Sequence, residues 1–369
     1  MVTYVVAPVL LWVGLWVSIA VAVVLLASMV GARLRRRRRE QQDRRRIAPL
    51  RPVLLALASG EAIEVDLAVD LNALPGPTRD VVDDAIVQML GKIRGDSVAP
   101  LVEVLRQHAR GERAVQELTS RSSVTRARAV WTLGVMRERD AVPHALALLQ
   151  DPSSDVVLTA ARSLGMMGDP IAAGPVLTAV APEGSRSGLP VWIAVESVAS
   201  LGTDTTAEVC AALAHPSLDV RTAAAMVIAR VPLVAAAGAL RQRMEIETDP
   251  PLVAILVLAL GEVGGPRDVE LLGPLLASGQ DAQIRRAAVG AVAEVGGTRA
   301  VAWLQPLLYS RDIRVAELTA TTLVSLGSAG HQAVSAVAAS GALSANGRLC
   351  RYAVAQEALA HPRTVQRAS

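Results

Sequence analysis

Apolar residues recur at i, i+3, i+4 and i+7 along most of the chain, as at Val220, Ala223, Ala224 and Val227. That spacing predicts helices with one buried face. Each such helix ends near a Leu-Gly step, and Asp or Pro soon follows (Asp140, Asp169 and Pro170, Pro266), which predicts a second, shorter helix. Pro143, Pro175, Pro274 and Pro306 then fall in the first turns of the second helices, where a missing N–H costs little. Glycine at the Leu-Gly step is expected to supply the left-handed conformation of a helix C-cap.

The unit repeats. The pattern L-G-x6-A-x4-L runs twice between Ala129 and Val180 and returns in looser form from Leu258. With the glycine or its equivalent as anchor, the positions are Gly91, Gly134, Gly165, Gly202, Arg230, Gly261, Ala293 and Gly327. Their spacing centres near 32 residues, the signature of stacked helix pairs, since neither helix of a pair can bury its apolar face alone. Residues 81–345 are assigned to this array, 48–80 to an N-terminal cap and linker, and 346–369 to a last helix and polar tail.

The N-terminus has a different pattern. Val5–Val30 is apolar on every face and carries no charge, and roughly 39 Å of helix exceeds the ~30 Å hydrocarbon core of a bilayer. No basic residue precedes the run, and an arginine block follows where a cleavage site would sit, which argues against a signal peptide. Residues 1–32 are therefore expected to form one transmembrane anchor. Arg33, Arg35, Arg36, Arg37, Arg38, Arg39, Arg44, Arg45 and Arg46, in the juxtamembrane segment 33–47, fix its orientation: N-terminus out, repeat domain in the cytosol, with contact to anionic lipid. Gly14, Ser18 and Ala22 form a small-residue stripe on which a second membrane helix could pack.

Composition narrows the function classes. The 369 residues are 52% hydrophobic with no Phe, so the core must be built from Ala, Val and Leu. Lys92 is the only lysine, a bias that points to a GC-rich bacterial genome, so the anchor is expected in a bacterial inner membrane. The net charge of +3 conceals +7 in residues 33–46 and −4 in residues 47–369, so the body lacks the basic stripe of a nucleic-acid binder, and no nucleic-acid partner is expected. Cys210 and Cys350 are too few and too far apart for a disulfide framework or a zinc site. His108, His144, His215, His331 and His361 are scattered, and no HExxH, GxSxG or P-loop occurs. Asp83 and Asp84 read as helix-start carboxylates, and Asp219 and Asp312 as helix caps paired locally to Arg221 and Arg314. Neither a catalytic, a cofactor-binding nor a metal site is expected.

Asp219-Val220-Arg221, Asp312-Ile313-Arg314, Gly165 with Gly168-Asp169, and Gly261 with Gly264 resemble HEAT repeats, in particular the short HEAT-like repeats of phycocyanobilin lyases. The resemblance implies an all-α, right-handed α-solenoid of helix pairs that mostly serves protein binding. The paired His-Glu dipeptides of HEAT-repeat di-iron hydroxylases are absent. The expected function is a membrane-anchored cytosolic scaffold for an unidentified protein partner, such as a membrane or envelope-biosynthesis enzyme, and not an enzyme. The alternatives are a lyase-like, chromophore-handling protein and, third, nucleic-acid binding through the arginine block.

Overall fold

The computed structural model describes residues 3–59, 71–92, 98–180, 188–341 and 344–360. Within the first helix, the side chains of residues 3–11, 13–15, 17–18, 32, 35–37 and 39–40 lie outside that description. Among the described residues the chain is all-α, with one isolated bridge between Val180 and Leu189. It divides into two compact units, Met1–Arg113 and Ala114–Ser369.

The first unit comprises α1 (Thr3–Ile47), α2 (Arg51–Ser59), α3 (Gly76–Leu90), α4 (Ala99–Gln107) and the start of α5 (Arg110–Glu117). Its core is small: Leu50, Val53 and Leu54 after the end of α1, Val82, Ile86 and Leu90 of α3, and Leu101 and Leu105 of α4. Helix α1 continues without a break from the apolar run through the arginines. Every side chain from Ile19 to Val30 is exposed, around the full helix circumference.

The transmembrane expectation is not supported by these residues. No helix among the described residues is long and apolar enough to cross a membrane. The contiguous described side chains of the run, residues 19–31, cover only about 20 Å of helix. Gly14 and Ser18 of the small-residue stripe, and Arg35, Arg36, Arg37 and Arg39, fall on side chains outside the description; Ala22, Arg33, Arg38, Arg44, Arg45 and Arg46 are exposed.

In the second unit the first helices of successive pairs are α6 (Ser123–Met136), α8 (Ser154–Met167), α10 (Val191–Ala199), α12 (Leu218–Arg230), α14 (Pro250–Val263), α16 (Ala282–Gly296) and α18 (Ile313–Ser325). Each packs on the next, and α20 (Ala345–Ala360) closes the row against α18. The second helices are α7 (Val142–Ala147), α9 (Ala173–Thr178), α11 (Thr206–Leu213), α13 (Ala237–Ile246), α15 (Val269–Leu272), α17 (Ala300–Leu304) and α19 (Ser328–Ser340). All but α19 are entered through a 3-10 turn, such as Pro170–Ala172 or Pro266–Asp268. One continuous core runs through the stack, from Ala114 through Leu133, Leu164, Leu260 and Leu323 to Ala353. The unit is a solenoid-like stack of helix pairs with an aliphatic core.

The glycine expectation needs correction. Gly134, Gly165 and Gly261 lie inside their helices, and the left-handed residue comes three positions later, at Arg137 and Gly168, in the first two repeats. A Cβ on Gly134 would sit 2.7 Å from Ser163 Cβ, one on Gly165 2.7 Å from the Ser197 carbonyl, and one on Gly261 2.8 Å from Ala291 Cα. These glycines let adjacent first helices approach. Gly202 and Gly327, at φ 83° and 89°, instead stand at the N-cap of the element that follows, so they are not equivalent to Gly134 and Gly165. Of the insertion Pro182–Pro190, residues 182–187 lie outside the described residues, as does the tail from 361.

Candidate functional site

The fourth residue of a first helix is an arginine in three repeats: Arg126, Arg221 and Arg285. Each reaches back to a carbonyl before its own helix and forward to the turn before the next. Arg126 donates to the Ser120 carbonyl at 2.8 Å and grips both oxygens of Asp151 at 2.7 Å. Arg221 donates to the Pro216 carbonyl at 2.8 Å and to Glu247 at 3.0 Å, while Arg285 reaches the Leu276 carbonyl and Ser310 Oγ at 3.2 Å.

The acceptors share a second task. Asp151, Glu247 and Ser310 each stand two residues before a helix N-cap and accept the backbone N–H of that capping residue, as do Ser120 and His215. One side chain thus shapes the turn between repeats and is clamped by the repeat before it. His215 accepts from Ser217 N–H through Nδ1 at 3.1 Å, so it has a structural role.

Charge strengthens these clamps. Burial raises the cost of ionising Glu247, but hydrogen bonds from Arg221 and Arg243 and the N–H groups of Asp249 and Thr248 hold its carboxyl down at about 2. The Arg126 guanidinium holds Asp151 below the ordinary carboxylate range against some burial. Arg241 does the same for Asp268, whose Oδ2 also accepts Gly265 N–H at 2.9 Å. Asp312 caps α18 through Arg314 and Val315 N–H, as the sequence predicts, whereas Asp219 lies inside α12 and Arg221 pairs with Glu247 in its place.

A second constellation was not visible in the sequence. Asp83 is no helix-start residue; it is buried midway along α3, which begins at Gly76. Its Oδ1 meets His108 Nδ1 at 2.5 Å, and its Oδ2 accepts from Arg113 at 2.8 Å. Nε2 of His108 faces the Leu71 carbonyl at 3.0 Å. Both ring nitrogens therefore face acceptors. Arg113 also reaches Asp80 at 3.0 Å. A His-Asp pair resembles half of an acid–base apparatus, but both side chains are 1% exposed, so no substrate reaches them. The cluster locks the turn at Leu71 to α3, α4 and α5.

Other candidate chemistry stays dispersed. His144 is exposed on α7 and His331 on α19, while His361 lies outside the described residues. Cys210 and Cys350 are free, and burial pushes both thiols up. Among the described residues no group of three His, Cys, Asp or Glu side chains is placed to hold a metal. The second helices and their entry turns expose a mixed surface, including Arg139, His144, Ile171, Glu270, Leu271 and Trp303.

The sequence profile of HEAT repeats matches residues 111–188 and 206–293. No curated protein matches. Among solved structures, Kap121p bound to Nup53p is 13% identical, with a TM-score of 0.49 covering 82% of this chain and 37% of that one. The CpcE–CpcF complex of phycocyanin lyase from Nostoc is 20% identical, with a TM-score of 0.27 covering 70% of this chain and 98% of that one. Human deoxyhypusine hydroxylase in complex with glycerol is 20% identical, with a TM-score of 0.28 covering 74% and 96%. Repeat spacing, stacked helix pairs and profile agree: across residues 111–188 and 206–293 the chain carries HEAT repeats.

Proposed function

We propose that the chain is a HEAT-repeat scaffold held at the cytosolic face of a bacterial inner membrane by α1, with its repeats binding a protein partner rather than turning over a substrate. The observation that carries the membrane part is the exposure of every side chain from Ile19 to Val30. A helix on a protein surface hides one apolar stripe and shows a polar face, whereas this one shows apolar side chains all round. Trp12 and Trp16 extend the same exposed apolar surface toward the N-terminus. The arginines that follow, with no charge before the run, orient the span with the N-terminus out.

The partner is a protein because HEAT repeats offer an extended surface and the one exposed here is of mixed polarity, without a basic stripe. The buried position of the His108–Asp83 pair favours binding over catalysis.

Alkaline carbonate extraction tests the membrane assignment. The full chain stays in the membrane pellet, and residues 48–369 move to the supernatant. Release of the full chain by carbonate would refute the assignment.

A further inference from the structure

The arginines of α1 fall into two tiers, because the helix continues unbroken to Ile47. Arg33–Arg39 lie within about 14 Å of Val30 along the axis at 1.5 Å per residue, whereas Arg44, Arg45 and Arg46 lie about 21–24 Å from it. If the apolar run ends the hydrocarbon core at Val30, the headgroup layer beyond it is only about 5–8 Å thick. The second tier then stands some 14 Å outside the lipid surface, nearly two screening lengths of about 8 Å at physiological salt. Even at a tilt of about 40° it remains roughly a full screening length away. Lipid therefore accounts fully for the first tier and only weakly for the second, even with side chains that lean toward the helix N-terminus.

Arg44, Arg45 and Arg46 are all exposed, and Asp43 beside them meets Arg46 at 3.8 Å. Three guanidiniums on consecutive residues of a helix spread over most of its circumference, so an extended chain wrapping the helix meets charge from any side. Planar guanidiniums pair bidentately with carboxylates.

We propose that Arg44, Arg45 and Arg46 form a docking collar for an acidic protein segment, set back from the bilayer surface; this rests on the membrane reading of α1. The collar would give a partner's acidic tail a contact separate from the repeats, raising its local concentration beside them.

The test uses the full chain reconstituted in phosphatidylcholine vesicles, with a fluorescent poly-glutamate peptide as probe. The peptide binds, and binding weakens with added salt. The triple variant Arg44→Gln, Arg45→Gln, Arg46→Gln loses about ten-fold in affinity, the scale of three exposed ion pairs. The variant Arg33→Gln, Arg35→Gln, Arg36→Gln binds as the parent does. Absence of binding, or equal loss in the two variants, overturns the collar, as does a second-tier effect seen only when anionic lipid is included. Vesicle flotation of the same samples reports the membrane reading separately: chain that fails to float refutes the anchor, whereas chain that floats without binding peptide refutes the collar alone.

Discussion

Glu247 shows most clearly how a single residue holds neighbouring repeats together. Its carboxylate is 3% exposed, sits between Arg221 of the preceding first helix and Arg243 one turn back, and organises the turn into α14. Because its folded value of about 2 lies below the ordinary 4.5, the folded state binds the proton more weakly than the unfolded chain. The stabilisation, about 3 kcal/mol, is therefore fully present above pH 5 and is lost as pH falls toward 2. Urea titrations of the parent and Glu247→Gln should differ by that order at pH 7 and converge near pH 2. Asp83 makes a parallel case in the first unit. Asp83→Ala leaves His108 and Arg113 without their shared acceptor, at a cost of about 3 kcal/mol, and hydrogen exchange should show protection lost over α3 and α4. Neither role could be read from the sequence. Asp83 follows no pattern, since its partners lie 25 and 30 residues away, and Glu247 becomes recognisable only once the position two before each cap is seen to recur.

Among the elements, the first helices are where the sequence spoke most directly. Their 3.6-residue periodicity and the near-32-residue recurrence follow from stacking, which demands the same buried face at each step, and so the helix pairs of the second unit were legible. The shape of each pair was less so. A 3-10 entry turn is set by local hydrogen bonds that apolar spacing does not encode. The Leu-Gly glycine was legible as important but misread as a cap, because both roles place a glycine near a helix end; only the distance to the next helix separates them. The separation has a direct test on neighbouring helices. Gly261→Ala forces a methyl to within 2.8 Å of Ala291 Cα, and overpacking of about 1–3 kcal/mol outweighs the gain in helix propensity. Gly290→Ala, on the adjoining α16 with open space around it, should instead stabilise by up to about 1 kcal/mol. Thermal midpoints that shift in the same direction for both would mean the close approach of α14 and α16 does not restrain Gly261.

For the molecule as a whole, the main feature is segregation of charge along the chain: none in residues 1–32, +7 in 33–46 and −4 beyond. This was fully legible, because it needs only counting, and it bears on location rather than chemistry. The repeats provide an extended surface of mixed polarity, and the first helix provides an apolar run whose side chains are exposed from Ile19 to Val30. The scaffold at the membrane proposed above would account for both. The identity of the partner was never legible, since a mixed surface distributed over many repeats leaves no short motif. The orientation of the repeats tests the account most directly. Alkaline phosphatase and a fluorescent protein, each fused after Ser369 and expressed in a bacterium, report which side of the inner membrane that end occupies. The account predicts membrane-fraction fluorescence with no phosphatase activity; an active phosphatase fusion, or fluorescence wholly in the soluble fraction, would contradict it.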